Sequence, residues 1–154
     1  MSTADDRTLD GEYVPNAWDW VAEHVDRYES SGGRDGTMLH GFPTVVLTTR
    51  GARSGKVRKT PVIRVSDGER YAAVGSVGGA PRHPAWYHNV LAHPRVRLQD
   101  GPVVKEYEAR VTEGEERAAW WARAVETFPQ YAEYQRQTER VLPVVILEPV
   151  AEDA

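Results

Sequence analysis

An α+β barrel, closed or split, is the fold class this sequence predicts, with about six mainly antiparallel strands and peripheral helices. Three observations carry it. The runs "TVVLTTR", "VRKTPVIRV" and "YAAVGS" are rich in β-branched residues and are separated by the turns "RGARSGK" and "SDGER", the pattern of a meander. "RVRLQDGPVVKEYEARV" reads as a further hairpin around Asp100-Gly101. "LPVVILEP" is an unbroken apolar run of strand length, as expected of a central strand buried on both faces.

The helices follow from spacing and end signals. Residues 16 to 30 place Trp18, Val21, Ala22, Val25 and Tyr28 on one helical face behind Asn16, a favoured N-cap. "SGGRDGTMLHGFP" is turn-rich and predicts a loop. Pro84 to Ala92 predicts a short helix, with Pro84 at its first position and His93-Pro94 closing it. Thr112 and Glu115 form a T-x-x-E capping box ahead of a helix carrying Trp120, Trp121, Ala124, Val125 and Phe128. Pro129 then restarts the chain in one or two helical turns bearing Tyr131 and Tyr134. The organisation expected is an N-terminal amphipathic helix and linker over residues 1–35 and one barrel domain over 36–150.

Composition narrows the chemistry. The 154 residues contain no cysteine, which excludes disulfides, thiolate zinc sites, iron–sulfur ligation and cysteine nucleophiles, so redox chemistry has to be borrowed from a cofactor. No apolar run approaches the roughly 18 residues of a membrane span and no signal-peptide pattern opens the chain, so a cytoplasmic protein is expected. Net charge is −4, yet between Thr37 and Gln99 ten Lys/Arg face only Asp67 and Glu69. Arg50, Arg53, Lys56, Arg58, Lys59 and Arg64 lie together with no acid among them. Such a positive field attracts an anion, although a plain solvated face has the same composition.

"RGARSGK" approaches a phosphate-binding P-loop but fails it: Gly51 and Gly55 are one residue too close, Val57 replaces the magnesium-binding hydroxyl, and a strand follows. Its backbone N–H groups and basic side chains still suit a phosphate. His83, His88 and His93 stand five apart, off the three or four that places ligands on one helical face, so no metal site is expected. No G-x-S-x-G elbow is present. Gly78-Gly79, between a strand and a helix start, would let backbone approach an anion or a flat ring. Trp86, Tyr87 and Asn89 would supply an aromatic wall and an amide, the alternative for Trp86 being core packing. Tyr131 and Tyr134 share a helical face with Phe128, as core or as phenols lining a pocket.

In order along the chain, "PTVVLTTRGARSGKVRKTPV", "VGSVGGAPRHPAWYHNVLAHPRV", "EARVTEGEERAAWW" and "FPQYAEYQRQTERVLPVVILEP" resemble the deazaflavin-dependent nitroreductases, which belong to the split-barrel flavin and deazaflavin oxidoreductases. The resemblance covers roughly residues 36–149. It implies a split β-barrel of the FMN-binding type that holds coenzyme F420, a 5-deazaflavin with a phosphate and an oligoglutamate tail. It assigns Arg53, Ser54, Lys56, Arg58 and Lys59 to that phosphate and tail. Thr60, Pro61, Val62, Ile63, Val74, Gly75, Ser76, Val77, Gly78 and Gly79 then border the ring, and Ala85, Trp86, Tyr87, His88 and Asn89 complete the cradle. Tyr131, Tyr134 and Ser76 are the implied groups near the reacting end, Tyr131 also touching the cofactor. The implied reaction is hydride transfer from reduced F420 to a menaquinone-like quinone, a nitro compound or a similar activated acceptor. No specific nucleic-acid partner is expected, and the N-terminal helix is open to three roles, a lid, a peripheral membrane contact, or plain packing on the barrel, with packing the simpler reading. The alternatives are an FMN-binding split-barrel oxidoreductase and, more distantly, a non-enzymatic barrel that binds single-stranded nucleic acid.

Overall fold

The computed structural model describes residue 9 and residues 12–39 and 41–150. Within them the strands are β1 (Met38–Leu39), β2 (Phe42–Arg50), β3 (Val57–Ile63), β4 (Val65–Ser66), β5 (Tyr71–Val74), β6 (Arg95–Asp100), β7 (Val103–Val111) and β8 (Val144–Pro149). The helices are α1 (Asp19–Ser30), α2 (Ala85–Ala92), α3 (Gly114–Thr127) and α4 (Gln130–Arg136). All strand pairings are antiparallel, in the order β1-β2-β6-β7-β8-β5-β4, and β3 pairs with β2.

That order curls the sheet. β3 and β4 form one extended stretch with Arg64 between them, whose N–H continues the ladder to the Pro43 carbonyl of β2 (2.8 Å). Its first part is bonded to β2 and its second to β5, so a single stretch borders both ends of the pairing path. With β3 and β4 counted as one, and the two-residue β1 set aside, the six expected strands are present in a split-barrel arrangement.

Alternation of side chains divides the apolar residues into two cores. Val45, Leu47, Ala73, Val96, Leu98, Tyr107, Ala109, Val145 and Leu147 fill the barrel, and Trp86 and Val90 of α2 stopper it. On the outer surface Ile63, Val65, Ala72, Val74, Val144 and Ile146 meet Trp120, Ala124, Phe128 and Tyr131 of the segment α3–α4. β8 supplies both sets, which explains its continuous apolar run: Val144, Val145 and Ile146 are 0% exposed.

α1 lies over the outer face of β2, with Val25 and Tyr28 against Val46. The buried Tyr28 hydroxyl accepts the Gly101 N–H (2.7 Å) and stands 3.3 Å from the carbonyls of Thr44 and Gln99. It therefore ties α1 to the β6–β7 turn. Gly33 makes this approach possible, because a Cβ there, at φ +78°, would overlap Gly101 backbone at 2.1 Å.

Three expected details differ. Asn16 accepts the Trp18 N–H (2.9 Å) in a turn ahead of the helix and does not cap it, since α1 starts at Asp19. Trp18 is consequently 58% exposed, and His24 takes the inward position, bonding the Gly36 carbonyl at 2.6 Å. The Thr112–Glu115 capping box does not form: α3 starts at Gly114, and Thr112 extends the ladder, its N–H and hydroxyl both donating to the Val144 carbonyl (3.0 and 2.8 Å). Pro84 is the N-cap of α2 instead of its first residue.

Replacing Tyr28 with Phe removes the acceptor of a buried N–H while keeping the ring. A loss of about 1–3 kcal/mol in unfolding free energy is expected, with an unchanged denaturant slope in urea titrations.

Candidate active site

Part of the sequence-predicted set meets at one end of the barrel, where the end of β2, the start of β3, the loop after β5 and helix α2 come together, while Ile63, Val74 and Tyr131 lie in the outer core. The turn between β2 and β3 is built by its own backbone. Gly51 N–H donates to Lys56 O (2.7 Å), Gly55 N–H to Gly51 O (3.0 Å) and Lys56 N–H to Ser54 Oγ (3.1 Å). Asn89 of α2, 7% exposed, fastens the turn to the barrel. Its Oδ1 accepts the Ala52 N–H (2.9 Å) and its Nδ2 donates to Thr49 Oγ1 (3.0 Å). The N–H groups of Gly51, Ala52, Gly55 and Lys56 are thus engaged inside the protein, and the Asn89 amide holds the turn, where the sequence reading had it facing a ring.

The side chains after the turn are sorted by the alternation of β3. Lys59, Pro61 and Ile63 face outward: Lys59 Nζ contacts both carboxylate oxygens of Glu29 (2.9 and 2.7 Å) and sits 4.9 Å above the Tyr13 ring, Pro61 is buried, and Ile63 belongs to the outer core. Arg58, Thr60 and Val62 point the other way, Arg58 beside its cross-strand partner Thr49 and hence toward Asn89 and α2. Val62 packs on the barrel interior. Lys56 pairs with Glu12 at 3.1 Å, both half to mostly exposed. Arg53, at the exposed tip, and Arg58 form no ion pair among the described residues. A contiguous run of ring-bordering residues does not survive this alternation, because a strand offers only every second side chain to one face.

The loop after β5 is held more tightly than its two glycines suggest. Gly75 N–H donates to the Pro143 carbonyl (2.9 Å). Val77, β-branched, has φ +45°, a left-handed conformation that surrounding structure has to impose. Gly79 has φ +84°, and a Cβ there would meet Gln137 Oε1 at 2.8 Å and the Tyr134 carbonyl at 2.9 Å. Its lack of a side chain makes room for the end of α4. Val74 faces the outer core, whereas Ser76 and Val77 are half-buried at the barrel end.

On α2 the predicted wall divides. Trp86 and Asn89 point into the barrel and are buried, Ala85 and His88 are exposed, and Tyr87 is half-buried. The His83 ring lies tilted 4.6 Å from Tyr87 and edge-on 6.1 Å from His88, so the half-buried His83 and Tyr87 and the exposed His88 form one aromatic group. Tyr131 is 4% exposed, in the outer core with Phe128 at 4.9 Å and Trp121 at 6.5 Å. Burial, then the neighbouring Tyr134, pushes its phenol well above the ordinary range. Tyr134 is half-buried against the same cluster, next to the Gly79 loop.

Arg140 is the site residue the sequence reading missed. It donates to the carbonyls of Gly75, Ser76 and Ala80 (2.9, 2.8 and 2.8 Å). Nothing in its local sequence marks it, because its partners lie some 60 residues away.

Comparison with known proteins places these elements in a family. The profile of a family described as F420H2-dependent quinone reductase matches residues 20–149. The F420H2-dependent quinone reductase of Mycobacterium tuberculosis is 34% identical over 141 residues, covering 83% of this chain and 95% of that protein. A solved F420-H2 dependent reductase is 53% identical, with a TM-score of 0.66 over 69% of this chain and 94% of its own. A second structure, described as a domain-swapped dimer, is 50% identical with a TM-score of 0.68, over 84% of this chain and 98% of its own.

Asn89→Leu keeps the side-chain bulk but leaves the Ala52 N–H and Thr49 hydroxyl without it. Expected outcomes are a stability loss of about 1–3 kcal/mol and faster tryptic cleavage after Arg53, read by mass spectrometry.

Proposed function

The chain belongs to the F420H2-dependent quinone reductase family, and on that premise we propose that the cleft between the 51–56 turn, the 75–80 loop and α2 binds reduced F420 against a flat, electron-poor acceptor. The protein is an oxidoreductase with F420 as its cofactor, and the proposed acceptor is a quinone, with nitroaromatics as surrogates. When bound, reduced F420 supplies a hydride. The observation that carries this reading is the pair Arg53 and Arg58, two guanidinium groups that form no ion pair among the described residues. A phosphate- and carboxylate-bearing ligand fits them, since guanidinium groups bind such oxygens in bidentate fashion.

The remaining roles follow from placement. Lys56 can exchange its exposed partner Glu12 for a ligand oxygen at small cost, because ion pairs in water are worth little. Lys59 is assigned to α1: its partner Glu29 is one-third exposed and its ammonium also covers Tyr13. Thr60 and Val62 border the ring from β3. Tyr87 and His88 form the aromatic rim, while Trp86 and Asn89 support the cleft from beneath. Ser76 and Tyr134 orient the acceptor. Tyr131, buried in the outer core and kept protonated there, packs beneath Tyr134 and does not act as a base.

Titration with oxidised and reduced F420, followed by fluorescence, tests the reading. Saturable binding that weakens with salt is expected, and Arg53→Ala and Arg58→Ala should each weaken it on the order of tenfold. Turnover of reduced F420 with menadione should follow. Absence of binding at high micromolar concentration would refute the assignment.

A peripheral membrane contact through α1 is the second element of the proposal. Trp18 and Trp20 stack at 6.4 Å while 58% and 52% exposed, as suits indoles at a lipid–water interface. Asp19, Glu23 and Asp26 disfavour anionic lipid. No helix among the described residues is long and apolar enough to cross a membrane, so the contact is one of surface only, consistent with the expected cytoplasmic setting. Co-sedimentation with phosphatidylcholine vesicles, abolished in the double variant Trp18→Ser, Trp20→Ser, is the expected result. Wild-type protein that stays in the supernatant rules it out.

A further inference from the structure

Arg140 lies between α4 and β8 and turns its guanidinium inward. Besides the three carbonyls, its Nη1 lies 3.0 Å from Nδ1 of His83. A guanidinium has no acceptor to offer, so Nδ1 must accept, and the single proton of a neutral imidazole is left on Nε2. The same side chain holds the Gly75 and Ser76 carbonyls before the strained Val77 and the Ala80 carbonyl after it. Loop shape and histidine tautomer are therefore set by one group, at the wall formed by His83, Tyr87 and His88.

We propose that Arg140 is a positioning residue that holds His83 as a neutral Nε2–H donor, and that this N–H hydrogen-bonds an oxygen of the ligand in the cleft. The proposal rests on the functional reading above. That oxygen belongs either to the coenzyme or to the acceptor, both of which offer the same chemistry. Three groups face the His83 ring: Arg140 from the connection before β8, and Tyr87 and His88 from α2. Burial, then Arg140, then His88 hold the imidazole below its ordinary value, so the neutral donor form persists into mildly acidic solution. Falling pH adds a proton at Nδ1, directly against the guanidinium. An acid limb below the ordinary histidine range is expected in the turnover profile, and removing Arg140 moves it to higher pH.

The test uses the full chain. Long-range proton–nitrogen correlation spectra of protein labelled with 15N-histidine should show His83 neutral at pH 7 with its proton on Nε2. In Arg140→Met the tautomers should mix, and the acid limb of turnover should move upward. His83→Gln retains an amide donor near Nε2 and should stay within about threefold of wild type, whereas His83→Phe should lose about tenfold. A loss in F420 affinity places the oxygen on the coenzyme, and a rise in menadione KM places it on the acceptor. A proton on Nδ1 in the wild type, or His83→Phe with unchanged F420 affinity, KM and kcat, overturns the proposal. If wild-type protein does not bind F420, the functional reading fails while the spectra still decide the tautomer. If Arg140→Met does not fold, the wild-type spectra and the His83 pair decide.

Discussion

Burial of β8 on both faces is the constraint on which the rest of the molecule depends. Its position between β7 and β5 gives the barrel interior Val145 and Leu147 and gives the helical layer Val144 and Ile146. Each of these residues is at most 1% exposed, so any one-residue slip would exchange the two sets and unseat both cores together. α3 and α4 are thereby locked against the outer surface, and the connection carrying Arg140 is brought back over the loop that follows β5.

The cleft stands at the opposite extreme. Its backbone is polar, turned and in one place strained, and it is kept in shape by two side chains that reach across the fold. Asn89 closes the basic turn from α2, and Arg140 closes the β5 loop from the β8 side. Both satisfy groups that would otherwise stand unpaired in partly buried surroundings, where a missing partner costs more than a made bond contributes. Such bonds fix the walls around Arg53, Arg58, Tyr87 and His88, the groups proposed to meet the ligand, which suits a site whose reacting atoms belong to a bound cofactor.

Charge is divided by the same logic. Of the basic residues clustered between Arg50 and Arg64, Lys56 and Lys59 meet acids of the N-terminal segment, and Arg64 meets Asp100 at the far end of the barrel, where the Tyr71 hydroxyl also donates to that carboxylate. Only part of a cluster that looks uniform in sequence is left to bind an anion. The N-terminal segment is attached to the barrel by Val14 and Val57 backbone bonds, by Lys59 and by Tyr28, so it packs as part of the fold and not as a detached arm.

The fold was legible in the sequence because period, turns and apolar runs are local properties: the six strands, the Asp100-Gly101 hairpin, the α2 and α3 positions and the doubly buried β8 all follow from neighbours along the chain. The stretches that carry the proposed site are also visible in the sequence, since the acid-free basic turn and the glycine loop are each contiguous. Local signals misled at Asn16 and Thr112, where capping residues were claimed by a turn and by a neighbouring strand. What tertiary structure alone decided was which residues of each stretch face the cleft, because strand alternation takes Lys59, Pro61 and Ile63 away from Arg58, Thr60 and Val62. It also decided that Gly79 yields space to α4, that Asn89 serves the turn, and that Arg140 meets His83. These depend on atoms brought together from distant parts of the chain, and no pattern of neighbours encodes such a meeting.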